Sequence, residues 1–321
     1  MWAVAFHPDG KHFLGGNDEG IRLWRLADGQ EVGEQMISMG NVYAISVSRD
    51  HKWIVCGAAR GASVWDGEIN EKVIDMEGEN IVVDSVDVSP DSTRFATGTG
   101  NGQASIWSIT TGRRVVGPLE LDDDWVSGVR FSPSGEHIAT ACKTSIRIFD
   151  SQTGDKLITI DTHTPQFGAA TPIAWSSDGR QIFVASRDKF RAFDTSTGTQ
   201  LAESQIPYDG VPSIALASNG KFIAALANRS VSFLDTSTLA RIGPVIEDSE
   251  GIRSVAISPD STRLATGRGD GKIIIRDLAK ILPDSYDSFN VSICALPCSI
   301  SHVDEICRYL LANKLNKMSS L

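Results

Sequence analysis

The chain has 321 residues, of which 41% are hydrophobic and 22% are charged, so it can bury a large apolar core. Its formal net charge is −10, and it has no cluster of lysine and arginine that could neutralise a phosphate backbone. No apolar run approaches the roughly 18 residues of a membrane-spanning helix, and the N-terminus lacks a secretory-signal pattern. Five cysteines, a small and odd number, favour a reducing compartment. We therefore expect neither nucleic acid nor membrane as a partner, and a cytoplasmic location with the nucleus as the alternative.

One sequence pattern recurs seven times along the chain, with a period of 41 to 44 residues. Its copies open with an apolar residue, at Val4, Ile45, Val86, Val129, Ile173, Ile214 and Val255. A fixed period of about 40–45 residues indicates a radial array of small β-sheets. We predict an all-β fold, a seven-bladed β-propeller with four-stranded antiparallel blades.

Four strands are predicted within each copy, as the last copy illustrates. Val255 and Ile257 alternate with polar or small residues, which indicates a first strand with one buried face. A tight turn at residues 258–261, rich in Ser, Pro and Asp, leads to a second strand of small residues at 264–267. A third strand ends in one prominent side chain per copy: Trp24, Trp65, Trp107, Phe149, Phe193, Leu234 and Arg276. A fourth, less apolar strand completes the meander, which must stack on its neighbours because it cannot bury both faces alone.

The Ser-Pro-Asp turn, the Ala-Thr-Gly strand at residues 265–267 and the ending Trp65-Asp66 resemble the WD40 repeat. The resemblance covers about residues 1–280 and implies a seven-bladed propeller that acts as a rigid interaction platform. The chain is also similar to the WD40 arrays of large fungal proteins. It departs from the family pattern in two ways: the Gly-His dipeptide is missing from every copy, and the turn Asp before the third strand is plain only at Asp18 and Asp270. The buried His–Asp–Trp network of the family is therefore expected to be largely absent, with packing stabilising the blades.

The predicted propeller occupies residues 1–297, and a helical tail follows at 298–321. Because the chain begins inside the first strand of blade 1, we expect the last outer strand from residues 289–295. Beyond Ser301, one apolar stripe has helical period: Val303, Ile306, Cys307, Leu310, Leu311 and Leu315. This predicts a short amphipathic helix that packs on the propeller flank or docks a partner helix. The alternative for the other end is that Met1 is an internal methionine of a longer protein.

A ring of residues is predicted on the propeller face where the first strands begin. Its members, two positions before each first-strand start, are Trp2, Tyr43, Asp84, Ser127, Thr171, Pro212 and Arg253. Tryptophan, tyrosine and arginine are enriched at interface hot spots, and simple packing of the loops is the competing interpretation. We predict a non-catalytic scaffold that binds other proteins or peptides, with a propeller that is monomeric by itself. The alternative is a structural or sensor array within a longer multidomain protein.

Signals for catalysis or metal binding are weak in the sequence. Four residues are one position away from a zinc-knuckle spacing but lack glycine turns: Cys294, Cys298, His302 and Cys307. The glycine-rich stretches at 98–102 and 267–271 are predicted to be hairpin turns, and the acidic run at 122–124 a solvated loop. The six histidines fall in unrelated registers and are not expected to line one site, which argues against a propeller enzyme of lactonase or quinoprotein type. We therefore predict no enzymatic activity, no metal and no cofactor.

Overall fold

The computed structural model describes residues 3–38, 40–76, 81–121, 125–162, 172–185, 189–205, 213–227 and 229–286. These residues form seven antiparallel sheets, six with four strands and one with three. All lie within one compact unit, Met1–Ser288. The predicted all-β, seven-bladed propeller is thereby confirmed. The expected tail helix and the expected outer strand at 289–295 lie outside the described residues.

The strands of each blade pair in chain order, from the inner first strand to the outer last one. Blade 1 comprises β1 (Ala3–Phe6), β2 (His12–Gly16), β3 (Gly20–Arg25) and β4 (Met36–Ile37). Blade 2 comprises β5 (Val42–Val47), β6 (Trp53–Ala58), β7 (Gly61–Asp66) and β8 (Glu71–Asp75). Blade 3 comprises β9 (Val83–Val88), β10 (Arg94–Thr99), β11 (Ala104–Ser108) and β12 (Arg114–Val116). Blade 4 comprises β13 (Val126–Phe131), β14 (His137–Cys142), β15 (Ser145–Asp150) and β16 (Lys156–Asp161).

The remaining three blades repeat this arrangement. Blade 5 comprises β17 (Ile173–Trp175), β18 (Gln181–Ala185), β19 (Lys189–Asp194) and β20 (Gln200–Gln205). Blade 6 comprises β21 (Ser213–Leu216), β22 (Phe222–Ala227), β23 (Ser230–Asp235) and β24 (Arg241–Glu247). Blade 7 comprises β25 (Ile252–Ile257), β26 (Arg263–Arg268) and β27 (Ile273–Asp277). Two 3₁₀ turns follow it, Leu278–Lys280 and Asp284–Tyr286. Among the described residues, no helix is both long enough and apolar enough to cross a bilayer.

The turn between the first two strands is built from its own side chains, as blade 3 shows. The Oδ1 of Asp91 accepts a hydrogen bond from the backbone N–H of Thr93 at 3.1 Å. The Oγ of Ser89 accepts one from the N–H of Arg94 at 2.9 Å. Ser92 adopts the left-handed conformation, with φ of 59°. Serine and aspartate at these positions therefore satisfy the backbone of the reversal locally, which is why the turn can be read from sequence.

Small residues in the second strands let neighbouring blades approach closely. A Cβ added to Gly57 in β6 would lie 2.7 Å from the carbonyl oxygen of Val83 in the next blade. A Cβ on Gly98 in β10 would lie 2.8 Å from a methyl carbon of Val126. The glycines therefore set the spacing between inner strands, and valines of the following blade fill the space that is left.

The ring of first strands closes on itself. Strand β1 packs against both β5 and β25. The N–H of Val4 donates to the Oγ of Ser254 in blade 7 at 3.1 Å. A similar bond joins blades 3 and 4, where the N–H of Val129 donates to the Oγ of Ser85 at 3.0 Å. Side-chain hydroxyls thus satisfy first-strand N–H groups that face the neighbouring blade instead of a partner strand.

In two blades the prominent side chain of the third strand donates a hydrogen bond to a threonine of the second strand. In blade 3 the indole N–H of Trp107 donates to the Oγ1 of Thr97 at 2.9 Å. In blade 7 the Arg276 guanidinium donates to the corresponding hydroxyl, Thr266 Oγ1, at 2.8 Å. Its second nitrogen reaches Asp248, which follows the outer strand of blade 6, at 3.1 Å. Arginine at the tryptophan position therefore supplies the same hydrogen bond and adds an ion pair between blades.

The chain leaving blade 7 folds back onto blade 6. The hydroxyl of Tyr286 donates to Asp235 Oδ2 at 2.8 Å, and its ring meets that of Phe222 edge to face at 6.4 Å between centroids. Burial raises the pKa of Asp235, but hydrogen bonds, first from Ser237 and then from Tyr286, lower it to about 2. The carboxylate is therefore ionised at neutral pH and helps to hold this segment in place.

Candidate interaction surface at the channel mouth

The four described members of the predicted ring share one backbone feature. Each is the extra residue of a β-bulge at the start of a first strand: Tyr43, Asp84, Ser127 and Arg253. A bulge leaves its extra residue outside the regular ladder and redirects the side chain. The other three predicted members, Trp2, Thr171 and Pro212, lie outside the described residues.

A channel with a volume of about 750 Å³ runs between the first strands of all seven blades. Tyr43, Asp84 and Arg253 line one mouth, at the start of the first strands. Arg49 lines the opposite mouth, because it follows the end of β5. About six residues of strand separate Tyr43 from Arg49, a span of roughly 20 Å. The two mouths are therefore distinct surfaces with different side chains.

The ring residues differ in how much they offer to a partner. Arg253 is exposed and Tyr43 is half-buried. Asp84 is buried, although it lines the channel. Ser127 is buried too, and its Oγ donates to the carbonyl of Ala141 at 3.2 Å. Ser127 therefore serves packing, whereas Tyr43, Asp84 and Arg253 remain candidates for contact.

Asp84 has an unusual electrostatic environment at this mouth. Burial raises its pKa to about 6, although the hydrogen bond from the indole N–H of Trp125 opposes the rise. That hydrogen bond measures 2.8 Å and ends on Asp84 Oδ2. At pH 7 most molecules carry the charge, and near pH 5 most do not. Asp84 thus gives this mouth a negative charge that depends on pH, within the range over which cellular compartments differ.

A second recess, about 400 Å³ in volume, opens beside the mouth between blades 7 and 1. Its charged lining consists of Asp18, Glu19, Asp270 and Arg253. Asp270 also pairs with Arg268 at 3.1 Å. Of the ring residues predicted from the sequence, Arg253 lines this recess, and the prediction did not include its acidic residues Asp18, Glu19 and Asp270. Arg253 lines both cavities and therefore connects them.

A carboxylate inside the channel, Asp87, joins blades 2, 3 and 4. It accepts hydrogen bonds from the N–H of Phe131 at 2.8 Å and from the Oγ of Ser46 at 3.4 Å. A guanidinium nitrogen of Arg130 lies 3.6 Å from Asp87 Oδ1. Burial raises the pKa of Asp87, and the charge of Arg130 partly offsets this. These contacts account for Asp87 as a link between inner strands.

Three of the six histidines, which the sequence did not predict to line one site, lie close together. His7 and His12 flank the first turn of blade 1, with ring centroids 6.1 Å apart. His51, from the corresponding turn of blade 2, lies 5.4 Å from His7 between ring centroids. The sequence shifts them into different registers, yet neighbouring blades bring their turns together. His137 lies in blade 4, at the start of β14.

Two other sequence candidates are turns, as predicted. The glycine-rich stretch at 98–102 closes the β10–β11 hairpin, where the N–H of Thr99 donates to the carbonyl of Gln103 at 3.0 Å. The stretch at 267–271 closes the β26–β27 hairpin, where the N–H of Arg268 donates to the carbonyl of Lys272 at 2.8 Å. The near-zinc-knuckle residues and the acidic run at 122–124 lie outside the described residues.

The fold defines a class of protein, the seven-bladed β-propeller. Four segments match the family model described as "WD domain, G-beta repeat": residues 1–25, 71–108, 115–150 and 243–277. The β-propeller domain of Cps50 (Swd1) from Myceliophteria thermophila superimposes with a TM-score of 0.72 at 17% sequence identity. That alignment covers 86% of this chain and 96% of the other, and it supports the fold. The four matched segments therefore resemble WD40 repeats.

Several curated proteins are similar over part of the chain. Human apoptotic protease-activating factor 1 is 26% identical over 132 residues, which are 39% of this chain and 11% of that protein. Rat WD repeat-containing protein 1 is 27% identical over 185 residues, or 54% of this chain and 30% of the relative. Nuclear distribution protein nudF of Aspergillus niger is 28% identical over 171 residues, which are 46% of this chain and 38% of that protein. The matched part of the chain thus spans well under two thirds of each relative.

Proposed function

We propose that this protein is a non-catalytic interaction platform that binds a protein or peptide segment at the mouth lined by Tyr43, Asp84 and Arg253. The observation that carries the proposal is the set of β-bulges, which place an aromatic ring, a carboxylate and a guanidinium around one opening. Tyrosine and arginine are the side chains that most often dominate binding energy at protein interfaces. The similarity to WD-repeat proteins supports the same role.

The charge around the mouth favours a partner segment that carries a basic side chain. Asp18, Glu19 and Asp270 line the recess next to Arg253, and the whole chain has a formal net charge of −10. Complementary charge speeds encounter and selects partners more than it adds affinity. A lysine or arginine in the recess, with an apolar neighbour against Tyr43, fits this distribution.

The test compares partner capture by the native protein and by the double variant Tyr43→Ala/Arg253→Ala. Tagged protein is purified from its own cells at low salt, and the bound proteins are quantified by mass spectrometry. Arg49→Ala is the matched control, because Arg49 is also an exposed arginine lining the channel, at the opposite mouth. We expect the double variant to lose at least about nine tenths of its partner and the control to retain it.

Folding is measured in the same samples, since a damaged propeller would also lose partners. Substitutions at this surface should lower the melting temperature by no more than about 2 °C. Loss of partner together with a large loss of stability, or a partner that is retained by the double variant and lost by Arg49→Ala, would contradict the proposal.

A second proposal is that the propeller is a structural or sensor module of a longer protein. It is favoured by the curated relatives, of which the matched part of this chain spans 11%, 30% and 38%. Mapping the 5′ and 3′ ends of the native transcript tests it directly. A transcript whose reading frame continues upstream of Met1 would support the module, and an in-frame stop codon upstream would oppose an N-terminal extension.

A further inference from the structure

The first turns of blades 1 and 2 bring together three histidines and an aspartate. The Nδ1 of His12 lies 2.6 Å from Asp9 Oδ2, and the Nδ1 of His7 lies 3.1 Å from Asp9 Oδ1. Potential ligand atoms of these three residues all lie within 4.8 Å of one another. His51 of blade 2 is the neighbour of His7, with 5.4 Å between ring centroids. This cluster lies at the opposite end of the first strands from the mouth with Tyr43.

The other blades show that the turn does not need these histidines. At the position of His7 they carry serine or alanine: Ser48, Ser89, Ser132, Ser176, Ala217 and Ser258. The turn backbone is the same with either residue, because the N–H of His7 bonds to the carbonyl of His12 at 3.0 Å and that of Ser48 to Trp53 at 2.9 Å. Blade 1 thus places an imidazole where a hydroxyl suffices for folding.

His51 is equally unneeded for its own turn. It adopts the left-handed conformation, with φ of 71°. The same position in the other blades is glycine or serine: Gly10, Ser92, Gly135, Gly179, Gly220 and Ser261. A glycine adopts this conformation without steric cost, whereas a side chain there is strained. The two neighbouring turns therefore depart from the repeat at the point where they meet.

Asp9 lies between the two imidazoles of blade 1, with one carboxylate oxygen facing each ring. Its Oδ1 accepts hydrogen bonds from the backbone N–H groups of Lys11 at 2.8 Å and His12 at 3.1 Å. Such backbone bonds orient a carboxylate in the way that supporting contacts orient metal ligands.

We propose that His7, Asp9 and His12 bind a divalent transition-metal ion of the zinc type, with His51 as the fourth ligand. Zinc takes imidazole nitrogen and carboxylate oxygen at about 2.0–2.2 Å in a tetrahedron. Two imidazoles on such an ion have centroids about 5 Å apart, and neighbouring ligand atoms are about 3.4 Å apart. The 5.4 Å between the His7 and His51 rings and the 3.1 Å between His7 and Asp9 are close to these values. The His7 and His12 rings are 6.1 Å apart, so they approach by about 1 Å when the ion binds.

The ion replaces the proton of the His12–Asp9 hydrogen bond, and that proton is released to solvent. His12 Nδ1 and Asp9 Oδ2 then separate from 2.6 Å to about 3.4 Å. Four protein ligands leave no open position, which is the arrangement of structural rather than catalytic zinc. The site therefore links the turns of blades 1 and 2, next to the closure between β1 and β25. It stabilises the folded propeller by mass action, because the unfolded chain does not hold the ligands together.

The experiment is a zinc titration of the full chain without a histidine tag, after removal of metal with a chelator. Zn²⁺ binding is measured by competition with a chromophoric chelator, and Co²⁺ is used to report the coordination geometry. The variants His7→Ser, His12→Gln and His51→Gly each introduce the residue that another blade has at that position, so folding should be retained. His137→Ala is the control, since His137 occupies the position of His12 in a turn with Ser134 in place of Asp9.

We expect one Zn²⁺ per chain, a tetrahedral Co²⁺ spectrum, and an affinity lowered at least tenfold in His7→Ser and His12→Gln. His137→Ala should bind as the native protein does, and His51→Gly should change the Co²⁺ spectrum. Binding that survives His7→Ser and His12→Gln would overturn the proposal. Loss of binding in the double variant Cys298→Ser/Cys307→Ser would also overturn it, because the metal would then belong to the C-terminal segment. An unchanged Co²⁺ spectrum in His51→Gly would overturn the assignment of His51 as the fourth ligand.

Discussion

The substitution Gly57→Ala tests whether second-strand glycines set the distance between blades. The added Cβ would lie 2.7 Å from the carbonyl oxygen of Val83 and 2.8 Å from its methyl carbon. A methyl carbon can rotate away, but the carbonyl belongs to the inner strand of blade 3 and can move only with that strand. Relief of this contact requires a shift of about half an ångström through close-packed side chains.

The expected cost follows from two opposing effects. Overpacking of this kind destabilises a core by about 1–3 kcal/mol, whereas replacing glycine by alanine stabilises by about 0.4–1 kcal/mol through the unfolded chain. The net loss therefore lies between about 0 and 2.6 kcal/mol. Its midpoint, about 1.3 kcal/mol, lowers the melting temperature of a domain of this size by about 3–5 °C. Thermal and urea unfolding followed by circular dichroism measure it.

Gly251→Ala is the matched control for this prediction. Nothing lies within 4 Å of a Cβ at Gly251, and its φ is not in the left-handed region. We expect this variant to be as stable as the native protein or slightly more stable. If Gly57→Ala unfolds at the same temperature and urea concentration as Gly251→Ala, the glycines do not set the blade spacing.

Two further predictions concern side chains that join blades 6 and 7. Arg276→Met removes the hydrogen bond to Thr266 and one partner of the buried Asp248, so it should lower the free energy of unfolding by about 2–3 kcal/mol. Arg276→Trp should recover the part of this loss that is due to the hydrogen bond with Thr266. Equal losses for the two variants in urea unfolding would contradict the contribution assigned to Thr266. Tyr286→Phe removes the hydrogen bond to Asp235 and should lower the free energy of unfolding by about 1.5 kcal/mol at pH 7. Burial raises the pKa of Asp235 but hydrogen bonds lower it from 3.8 to about 2, so this stabilisation is complete above pH 4 and is lost as pH falls toward 2. If the free energies of unfolding of the native protein and Tyr286→Phe differ by the same amount from pH 7 to pH 2, this prediction is wrong.

Local features of the repeat were predictable because they depend on neighbouring residues. The turn at Ser89 and Asp91 satisfies its own backbone within six residues. The period of 41 to 44 residues indicates a propeller, and the seven copies give the number of blades. The ring positions could also be numbered from this register. Their exposure could not, since the packing of each bulge leaves Ser127 buried and Arg253 exposed.

Contacts between blades were beyond the reach of the sequence. Arg276 looked anomalous at a tryptophan position, but a hydroxyl in its own blade and a carboxylate from the preceding blade explain it. The recess beside Arg253 is lined from the first and last blades, which meet only when the ring closes.

The sequence by itself determined the repeat, the number of blades and the turns, because hydrophobic alternation and turn chemistry act over a few residues. Only the tertiary structure decided which distant side chains share a surface. His7 and His51 are far apart in the chain and lie at different positions of their repeats, so no local pattern connects them. Radial stacking brings the two turns side by side, and the ring centroids are then 5.4 Å apart.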